Sequence, residues 1–364
     1  MELLLNTLSV LLILLSLLPF AKNQHWVFRV PEFMKIQLLI LQVAALILSI
    51  IFVEKGVWFW IINAVQLILI IYHLYILIRY TKFYKKKEVK KKSNASKTVK
   101  VLSVNVHQFN SDFQKFRNLI LKYRPDIFIT METNSDWEEA NRSLEDDYPN
   151  TLKMTLENTY GMHLYSRIPI EKGEIHFFVA DDIPSIEAHF RTPDGHAFAV
   201  FAVHPPPPSP TEEKTSKERD GDLLCVAKKI RKIHIPSLVI GDFNTVAWSV
   251  TSILFRKTSE LIDARVGRGI LATFHAKYWF FRVPLDLLFH SPEIFVEELK
   301  TLEHIGSDHF PILCVFHINL KDDKQEAEVK TLEPEEAEEV EELIEEGLKE
   351  ESDNREPVAQ KKLV

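Results

Sequence analysis

The first 78 residues constrain this chain more than any other part of it. They contain three apolar runs without a charged side chain: Leu3–Phe20, Ile36–Val53 and Val57–Ile78. A helix of roughly 17–25 such residues is long enough to cross the hydrocarbon core of a bilayer. Three such runs in close succession do not fit the core of a soluble domain. Residues 1–78 are therefore predicted to be an anchor of three transmembrane helices.

A basic segment at residues 79–98 follows the third run. Residues 79–100 carry ten Lys and Arg side chains against one Glu, and basic segments beside a span stay on the cytoplasmic side. The rest of the chain is therefore predicted to be cytoplasmic, in an integral, multi-pass protein of the cell membrane. If the first run were a cleaved signal peptide, two spans would remain and the orientation would be the same. The basic segment is interpreted as a linker and topology signal, with contacts to anionic headgroups or nucleic acid left open.

The rest of the chain divides by charge into two parts. Residues 321–364 carry 17 Asp and Glu against 7 Lys and Arg, a composition that predicts an acidic, disordered tail. A short solvated helix is the alternative, because Val340, Leu343, Ile344 and Leu348 have partly helical spacing. Residues 99–320 are predicted to form one mildly acidic globule. The chain has only 10 Gly, and they form neither a GxGxxG nor a GxxxxGK[ST] motif. A dinucleotide-binding fold and a P-loop fold are therefore excluded. Cys225 and Cys314 are too few for a disulfide framework or a thiolate zinc site.

The globule alternates between short apolar strands and helical stretches. Helices are indicated at Asp112–Tyr123 and Thr215–Ile233, and Pro193-Asp194-Gly195 is a hairpin turn. Hairpins together with strand–helix–strand units predict a mixed sheet, in α/β layers with the sheets inside and the helices outside. The predicted strands are Val99–Val106, Asp126–Met131, His163–Ser166, Ile175–Val179, Ile186–Arg191, Ala197–Val203, Ser237–Ile240, Leu285–His290 and Pro311–Ile318.

Polar side chains able to do chemistry collect at the ends of these strands. In α/β sheets, ligands bind outside the carboxyl ends of the strands, so we expect one site to collect these side chains. The eight candidates are Asn105, Glu132, His204, Asp242, Asn244, Asp286, Asp308 and His309.

The residue types predict phosphoryl chemistry with a hard divalent metal. Glu132 and Asp308 offer the carboxylate oxygens that Mg²⁺ prefers, and no Cys–His cluster indicates zinc. His204 and His309 are candidates for proton transfer. Asp286 is the kind of carboxylate that fixes a His tautomer, and the two Asn side chains are neutral donors that can orient a phosphate or a water.

The order and spacing of these motifs resemble the endonuclease/exonuclease/phosphatase superfamily, the DNase I-like enzymes. The resemblance covers about residues 98–318, and the pair of motifs GDFN and SDHxP in this order is its specific part. With its apolar head, the chain is most similar to membrane-anchored bacterial members. The motifs that carry the resemblance are Ser166-Arg167-Ile168-Pro169, Gly241-Asp242-Phe243-Asn244 and Ser307-Asp308-His309-Phe310-Pro311.

The resemblance implies a four-layer α/β sandwich and an Mg²⁺-dependent phosphodiesterase or phosphomonoesterase, with Mn²⁺ as a possible replacement. Carried over position by position, the metal ligands would be Asn105, Glu132 and Asp308. The catalytic residues would be His204, Asp242, Asn244, Asp286 and His309.

One aspect of the carried-over site stays open, and two differ from the family pattern. The group that activates water is either Asp242 or the His309–Asp286 pair. Many nucleases of the family have an acidic residue shortly after the first Asn, whereas this chain has Val106-His107-Gln108, which leaves the metal short of one ligand. Many relatives also have His where this chain has Leu287.

The predicted function is that of a membrane-anchored, Mg²⁺-dependent phosphoesterase whose partners are the lipid bilayer and a phosphate ester. Tethering favours a lipid headgroup as substrate, while the acidic globule weakly disfavours duplex DNA. A membrane-tethered nuclease is the alternative, because the basic segment could contact nucleic acid. A non-catalytic membrane scaffold is disfavoured by the complete set of site residues, and no protein partner is indicated. Trp279-Phe280-Phe281 is interpreted as core packing, with a substrate- or membrane-facing patch as the alternative.

Overall fold

The computed structural model describes most of the chain. The predicted basic linker lies largely outside the described residues, and so does the end of the acidic tail. The described residues are 1–84, 98–321, 325–352 and 355.

Three helices near the amino terminus are long and apolar enough to cross a membrane, by length and composition. They coincide with the three predicted apolar runs to within two residues at each end. They are Glu2–Phe20, Lys35–Phe52 and Val57–Tyr80, and the first and third end in a short 3₁₀ turn.

Nine α-helices and twelve strands occur in the described part of the chain. The helices are α1 Glu2–Leu17, α2 Trp26–Phe33, α3 Lys35–Phe52, α4 Val57–Leu77, α5 Phe113–Tyr123, α6 Ser135–Asn141, α7 Lys217–Arg231, α8 Val250–Ser259 and α9 Pro334–Lys349. The strands are β1 Val99–Asn105, β2 Ile127–Met131, β3 Asn150–Met154, β4 Met162–Ser166, β5 Lys172–His176, β6 Ser185–Arg191, β7 Ala197–Val203, β8 Ser237–Asp242, β9 Ile262–Asp263, β10 Asp286–His290, β11 Ile294–Thr301 and β12 Ile312–Ile318.

The strands form two six-stranded mixed sheets, as the sequence predicted. The first sheet has the order β11-β12-β1-β2-β4-β3, and the second has the order β5-β6-β7-β8-β10-β9. Each sheet contains one parallel pair, β1–β2 in the first and β7–β8 in the second, and the other neighbours run antiparallel. The two parallel pairs are the frame on which the candidate site is built.

The sheets pack face to face, and helices cover their outer faces. Strand β1 shows the arrangement, because Val99 and Val101 point into the core between the sheets while Leu102 and Val104 point outward toward α5. In the second sheet, Val239 points outward into the cluster that α7 and α8 complete. Since both faces of the central strands are buried, their sequences are almost continuously apolar. The predicted four-layer α/β sandwich is confirmed.

The apolar head packs directly against the second sheet's helical layer. The end of α4 is buried there, and Tyr80 Oη donates a hydrogen bond to the carbonyl of Ala247 over 3.1 Å. Helix α2, which the sequence patterns did not predict, docks nearby through the 2.8 Å hydrogen bond from Trp248 Nε1 to the carbonyl of Glu32. Pro31 lies inside α2 and argues against a helix on local grounds. Tertiary contacts therefore determine this helix.

The acidic tail contains a helix where the sequence predicted disorder. Helix α9 begins with a capping box formed by Glu333 and Glu336. Its apolar face, with Val340 and Ile344, packs against α7 and α8 in a small buried cluster. Lys228 and Lys257 form ion pairs with Glu side chains of α9. The composition of the tail favoured disorder over the alternative of a short solvated helix, because these partners on the globule are not visible in the sequence of the tail.

Candidate active site

The two parallel strand pairs bring the polar candidates to one edge of the sandwich. Asn105 is the last residue of β1, and Glu132 follows β2 directly. His204 follows β7, and Asp242 is the last residue of β8. Strand β10 runs antiparallel to β8, so its first residue, Asp286, lies opposite Asp242 in the ladder. The structure thus gathers side chains from distant parts of the sequence, from Asn105 at the end of β1 to Asp286 at the start of β10.

The backbone at this edge adopts conformations that most residues avoid. Glu132 has φ 60° and Asn244 has φ 48°, both in the left-handed region. Such conformations cost on the order of 1–3 kcal/mol and cluster at functional sites. Gly241 has φ 155°, and a Cβ there would lie 2.1 Å from the carbonyl oxygen of Val203. Only glycine therefore lets β8 approach β7 closely enough to present Asp242.

A pair of carboxylates, from Glu132 and Asp308, faces a single point. The Nδ1 atom of His107 lies 3.6 Å from Glu132 Oε2 and 3.8 Å from Asp308 Oδ1. Glu132 also accepts hydrogen bonds from Asn105 Nδ2 at 2.9 Å and from the Gln108 backbone N–H at 3.0 Å. Burial alone would raise the pKa of Glu132, but these bonds, the His107 contact and the charge of His204 lower it to about 2.

This carboxylate pair fits a divalent cation. His107 Nδ1 contacts one oxygen of each carboxylate, so the two carboxylates converge on the same group. Carboxylate oxygens are the donors that Mg²⁺ and Mn²⁺ prefer. The low pKa of Glu132 keeps that carboxylate ionised at neutral pH, as a metal ligand must be.

A buried row of three titratable groups lies on the other side of the site. His309 Nδ1 is 2.8 Å from Asp286 Oδ2, and His309 Nε2 is 3.4 Å from Asp242 Oδ2. Burial alone would lower the pKa of His309, but the charges of Asp242 and Asp286 raise it to about 10. These charges favour the protonated imidazole, while burial raises the pKa of Asp242 itself. The contact that the sequence predicted between His309 and Asp286 is present.

His204 and Asn244 complete the polar wall. His204 Nε2 lies 3.9 Å from Asp242 Oδ2, and its ring packs against Tyr160 with the centroids 5.4 Å apart. The backbone N–H of Asn244 donates to Asp242 Oδ1 over 3.0 Å, and its side-chain amide donates to the carbonyl of Pro205 over 2.9 Å. Among the described residues, His204 Nδ1 is buried without a hydrogen-bond partner.

Asn105 connects the two sides of the site. Its Nδ2 donates to Glu132 Oε1 over 2.9 Å and to Asp242 Oδ2 over 3.2 Å. Its Oδ1 accepts a bond from the backbone N–H of His107 over 3.0 Å. Ser307 Oγ donates to the Asn105 carbonyl over 2.7 Å, which ties the SDHxP loop to β1. The amide thus orients one carboxylate on each side.

The polar groups open into a cavity of about 400 Å³, the active cavity, whose opposite wall is apolar. Part of that wall comes from helix α2 and its end, with Val30, Phe33 and Met34. Another part comes from Phe281, in the segment Tyr278–Phe281, here called the aromatic loop. The cavity therefore lies between the candidate catalytic groups and the apolar head.

The aromatic loop corrects one prediction. Core packing was expected for Trp279-Phe280-Phe281, but Trp279 is 78% exposed, Phe280 59% and Phe281 41%. A single 3₁₀ turn presents no continuous face on which three consecutive aromatic side chains could all be buried. Gln37, near the start of α3, donates a hydrogen bond to the carbonyl of Phe280 over 3.2 Å. The loop therefore lies beside the beginning of a candidate membrane span.

Sequence reasoning missed three contributors to the site. His107 was noted only as a departure from the acidic residue of related nucleases, and its contact with both carboxylates depends on a left-handed backbone at φ 59°. Tyr160 and the α2 wall carry no motif, because long-range packing alone brings them to the site. The eight predicted side chains all lie around this one site.

Two sheets packed face to face, with carboxylates, histidines and asparagines at the ends of paired strands, define a phosphoester hydrolase. Residues 102–309 match the Endonuclease/Exonuclease/phosphatase family, and this match spans more than half of the chain. The chain belongs to that family. No curated protein is similar enough in sequence to count as a relative.

Solved structures agree with this fold at low sequence identity. D. rerio TDP2 complexed with single-strand DNA product has a TM-score of 0.53 at 16% identity, covering 60% of this chain and 99% of that one. A family protein from Bacteroides thetaiotaomicron has a TM-score of 0.51 at 19% identity, covering 62% and 100%. The human Nocturnin catalytic domain with bound sulfate has a TM-score of 0.50 at 18% identity, covering 62% and 97%.

Proposed function

We propose that this chain is a membrane-anchored, Mg²⁺-dependent phosphoesterase that hydrolyses the phosphate ester of a lipid headgroup. In this proposal residues 1–78 are the anchor, 79–98 a basic linker, 99–320 the catalytic domain and 321–364 an acidic tail that carries α9. Three helices span the membrane, and the catalytic domain lies in the cytoplasm.

The composition of the active cavity carries the proposal. A substrate in this cavity contacts ionisable groups on one wall and the apolar side chains of α2 on the other. The aromatic loop beside α3 exposes large amphipathic and apolar rings, the side chains that settle at a membrane–water interface. A phospholipid has matching parts, because its apolar chains lie next to a phosphate ester.

The residue roles follow from the contacts. Glu132 and Asp308 hold the cation, with Asn105 fixing the position of Glu132. A bound divalent cation would supply Lewis-acid polarisation of a phosphoryl oxygen. Asn244 and His204 lie on either side of Asp242 and orient the phosphate and the attacking water.

We assign the base and the acid from the charge state of His309. Because Asp242 and Asp286 favour the protonated form of His309, His309 is suited to donate a proton through Nε2 to the leaving oxygen. Asp242, within 3.4 Å of that nitrogen, is left as the group that accepts the proton of the attacking water. Asp286 acts through His309 by fixing its tautomer and is a positioning residue.

The test compares one headgroup in a bilayer and in solution. Full-length chain in nanodiscs is assayed on a long-chain phospholipid and on a water-soluble ester with the same headgroup. Removing the exposed rings with Trp279→Ser and Phe280→Ser should lower kcat/KM on the bilayer substrate by about tenfold, since this corresponds to about 1.4 kcal/mol of lost interfacial contact. Hydrolysis of the soluble ester should not change.

A matched control removes an equally exposed apolar side chain elsewhere. Leu121 on α5 is 59% exposed, like Phe280, and Leu121→Ser should change neither rate. Equal losses on both substrates in the loop variant would contradict an interfacial role of the aromatic loop. Absence of hydrolysis of any phospholipid, with DNA cleaved instead, would reject the lipid substrate.

A nuclease is the second candidate. The exposed ring of Phe109 stands next to His107, with ring centroids 5.8 Å apart, and exposed aromatic rings beside a phosphate site can stack bases of a single strand. The neighbouring structure of D. rerio TDP2 holds single-strand DNA product. Under this alternative, Phe109→Ser would weaken DNA cleavage and leave lipid hydrolysis unchanged.

The orientation has its own test. The first loop, the basic segment and the globule should all face the cytoplasm, because all of them carry basic residues close to spans. Protease added outside intact cells should leave a tag at Val364 uncut, whereas it should cut that tag after cell lysis. Cleavage of the tag in intact cells would reverse the proposed orientation.

A further inference from the structure

A second cavity, here called the junction cavity, lies where the apolar helices meet the globule. Its volume is about 470 Å³, and it does not include the candidate catalytic residues. Its walls come from the ends of α1, α3 and α4 on one side and from α8 and α9 on the other. Helix α2 lies between the junction cavity and the active cavity.

Two buried cations line the inner end of the junction cavity. Arg29 and Lys35 are each only 6% exposed. Within the described part of the chain, Arg29 Nε has no hydrogen-bond partner. Lys35 forms no ion pair with the described residues and instead lies over the ring of Tyr72, 5.2 Å from its centroid. Burying such cations is costly unless an anion compensates them.

The anions that the protein supplies do not balance these charges. Glu32 and Asp220 are the buried carboxylates close to Arg29 and Lys35. Asp220 already receives two hydrogen bonds from Arg219, and Arg29 Nη2 is 4.0 Å from it. Three buried cations therefore surround two carboxylates. One positive charge at the inner end of the cavity is left for a ligand.

The wall that α9 contributes to the cavity, here called its acidic mouth, carries three carboxylates. Glu339, Glu342 and Glu346 of α9 line it on the cytoplasmic side, and Glu342 and Glu346 are exposed. Only Lys22 pairs with this row among the described residues, at 3.0 Å from Glu339. Arg79 and Arg256 also line the cavity, so its walls hold the buried cations Arg29 and Lys35, further basic side chains and, on α9, exposed carboxylates. Such an arrangement suits a ligand with a phosphate and, a few atoms away, an ammonium group.

We propose that the junction cavity binds an intact phospholipid with a phosphoethanolamine headgroup. The phosphate contacts Arg29 and Lys35, and the primary ammonium reaches the carboxylates of α9. Tyr72 and Ile76 on the membrane side face the glycerol and the first carbons of the acyl chains. This lipid is not the substrate, because the cavity contains none of the metal or proton-transfer candidates.

The bound lipid positions one wall of the active cavity. Arg29 and Glu32 of α2 face the junction cavity, while Val30 and Phe33 of the same helix line the active cavity. A ligand that neutralises Arg29 therefore holds α2 in the place where its apolar face meets the substrate. The inference rests on the proposed membrane placement but not on lipid hydrolysis.

Lipid binding is tested on the full chain in detergent, with Glu132→Gln in all samples to prevent turnover. Native mass spectrometry counts bound phosphatidylethanolamine, phosphatidylcholine and phosphatidylglycerol, and inorganic phosphate is titrated separately. One phosphatidylethanolamine should bind per chain, ahead of the other two lipids. Arg29→Gln with Lys35→Gln should raise its Kd at least about tenfold, the effect of losing about 1.4 kcal/mol.

Two variants control for charge and for folding. Lys55→Gln with Lys82→Gln removes two exposed charges elsewhere and should leave the Kd unchanged. If the Arg29 and Lys35 changes prevent folding, Glu342→Gln with Glu346→Gln alters only the exposed mouth. That variant should lose the preference for phosphatidylethanolamine over phosphatidylglycerol.

Three outcomes of the binding experiment would reject the proposed lipid site, and the activity of the chain is a separate result. Unchanged affinity in the Arg29 and Lys35 variant would place the lipid elsewhere. Equal affinity for inorganic phosphate and for the lipid would reduce the site to an adventitious ion, and preference for phosphatidylglycerol would remove the role of the acidic mouth. Failure of the chain to hydrolyse any lipid would overturn the proposed substrate and leave this binding result intact.

Discussion

The two sides of the active site are built alike and differ in water access. Each side starts from a parallel strand pair, β1–β2 in one sheet and β7–β8 in the other. On the first side, the Glu132 and Asp308 side chains keep 16% and 23% of their surface exposed. On the second, Asp242 and Asp286 keep 1% and His309 keeps 5%. The same framework thus produces a partly hydrated carboxylate pair, Glu132 and Asp308, here called the wet side. It also produces a buried charged row, Asp242, His309 and Asp286, here called the dry side.

The difference matches the chemistry proposed for each side. A Mg²⁺ ion dehydrates reluctantly and keeps several waters, so its ligands need an open position. Proton transfer groups gain from a dry environment, where fixed charges interact strongly and shift pKa values. The pKa of His309, raised to about 10 by two buried carboxylates, is an example of such a shift. We therefore expect metal binding and proton transfer to be separable by mutation.

Glu132→Gln should give the largest loss of activity, and it should do so by removing metal binding on the wet side. Gln has no charge for the cation, so metal affinity should fall and kcat/KM should drop on the order of 10⁴-fold, because Lewis-acid stabilisation contributes several kcal/mol. Isothermal titration with Mg²⁺ and Mn²⁺ measures the first change, and initial rates measure the second. Chelation of the parent with EDTA should cause a similar loss of activity.

The control for this prediction is the thermal unfolding of the same variant. The midpoint should stay close to that of the parent, since Glu132 is not part of the apolar core. Activity that persists in EDTA, with no metal left in the protein, would refute the assignment of the wet side.

Variants of His309 and Asp286 on the dry side should lose the same catalytic step without losing metal binding. His309→Ala and Asp286→Asn should each lower kcat/KM by about 10²–10⁴-fold, the usual contribution of general acid–base catalysis. Because Asp286 acts through His309, over a contact of 2.8 Å, the double variant should lose little more than either single one. Mg²⁺ titration should give the parent's Kd in all three variants.

Independent action would look different. If the two single losses multiplied in the double variant, Asp286 would have a role apart from His309 and the pairing would be wrong. A weakened Mg²⁺ affinity in His309→Ala would instead show that the two sides are not separable.

The sequence revealed the composition of both sides better than their surroundings. Asp242 and His309 could be predicted as site residues from short motifs at the ends of strands. Such motifs are local in the sequence, and the fold brings the strand ends together. The exposure of Trp279 and the helix containing Pro31 were not predictable in this way. Both depend on contacts between segments far apart in the chain, here between the globule and the apolar head.

The acidic tail illustrates the same limit through charge. A high count of carboxylates indicates disorder only when no partner neutralises them. Lys228 and Lys257 on the globule provide such partners, and Val340 provides an apolar contact. Composition indicates how strongly the carboxylates of the tail repel one another. It does not indicate the ion pairs and apolar contacts with the globule that oppose this repulsion.

Asn105→Ala should give the smallest loss and is the change that links the two sides. The amide of Asn105 donates to Glu132 over 2.9 Å and to Asp242 over 3.2 Å, so it orients one carboxylate on the wet side and one on the dry side. Removing such an orienting partner of a metal ligand typically costs about 10–100-fold in metal affinity or activity. We expect a loss in this range in both Mg²⁺ affinity and kcat, whereas His309→Ala should lower activity without changing Mg²⁺ affinity. Thr133→Ala is the matched control, because it removes a buried hydrogen bond to Thr130 Oγ1 next to Glu132 and should leave both constants within a few-fold of the parent. If Asn105→Ala lowered kcat alone, its amide would serve Asp242 only, and the wet and dry sides would be mechanically independent.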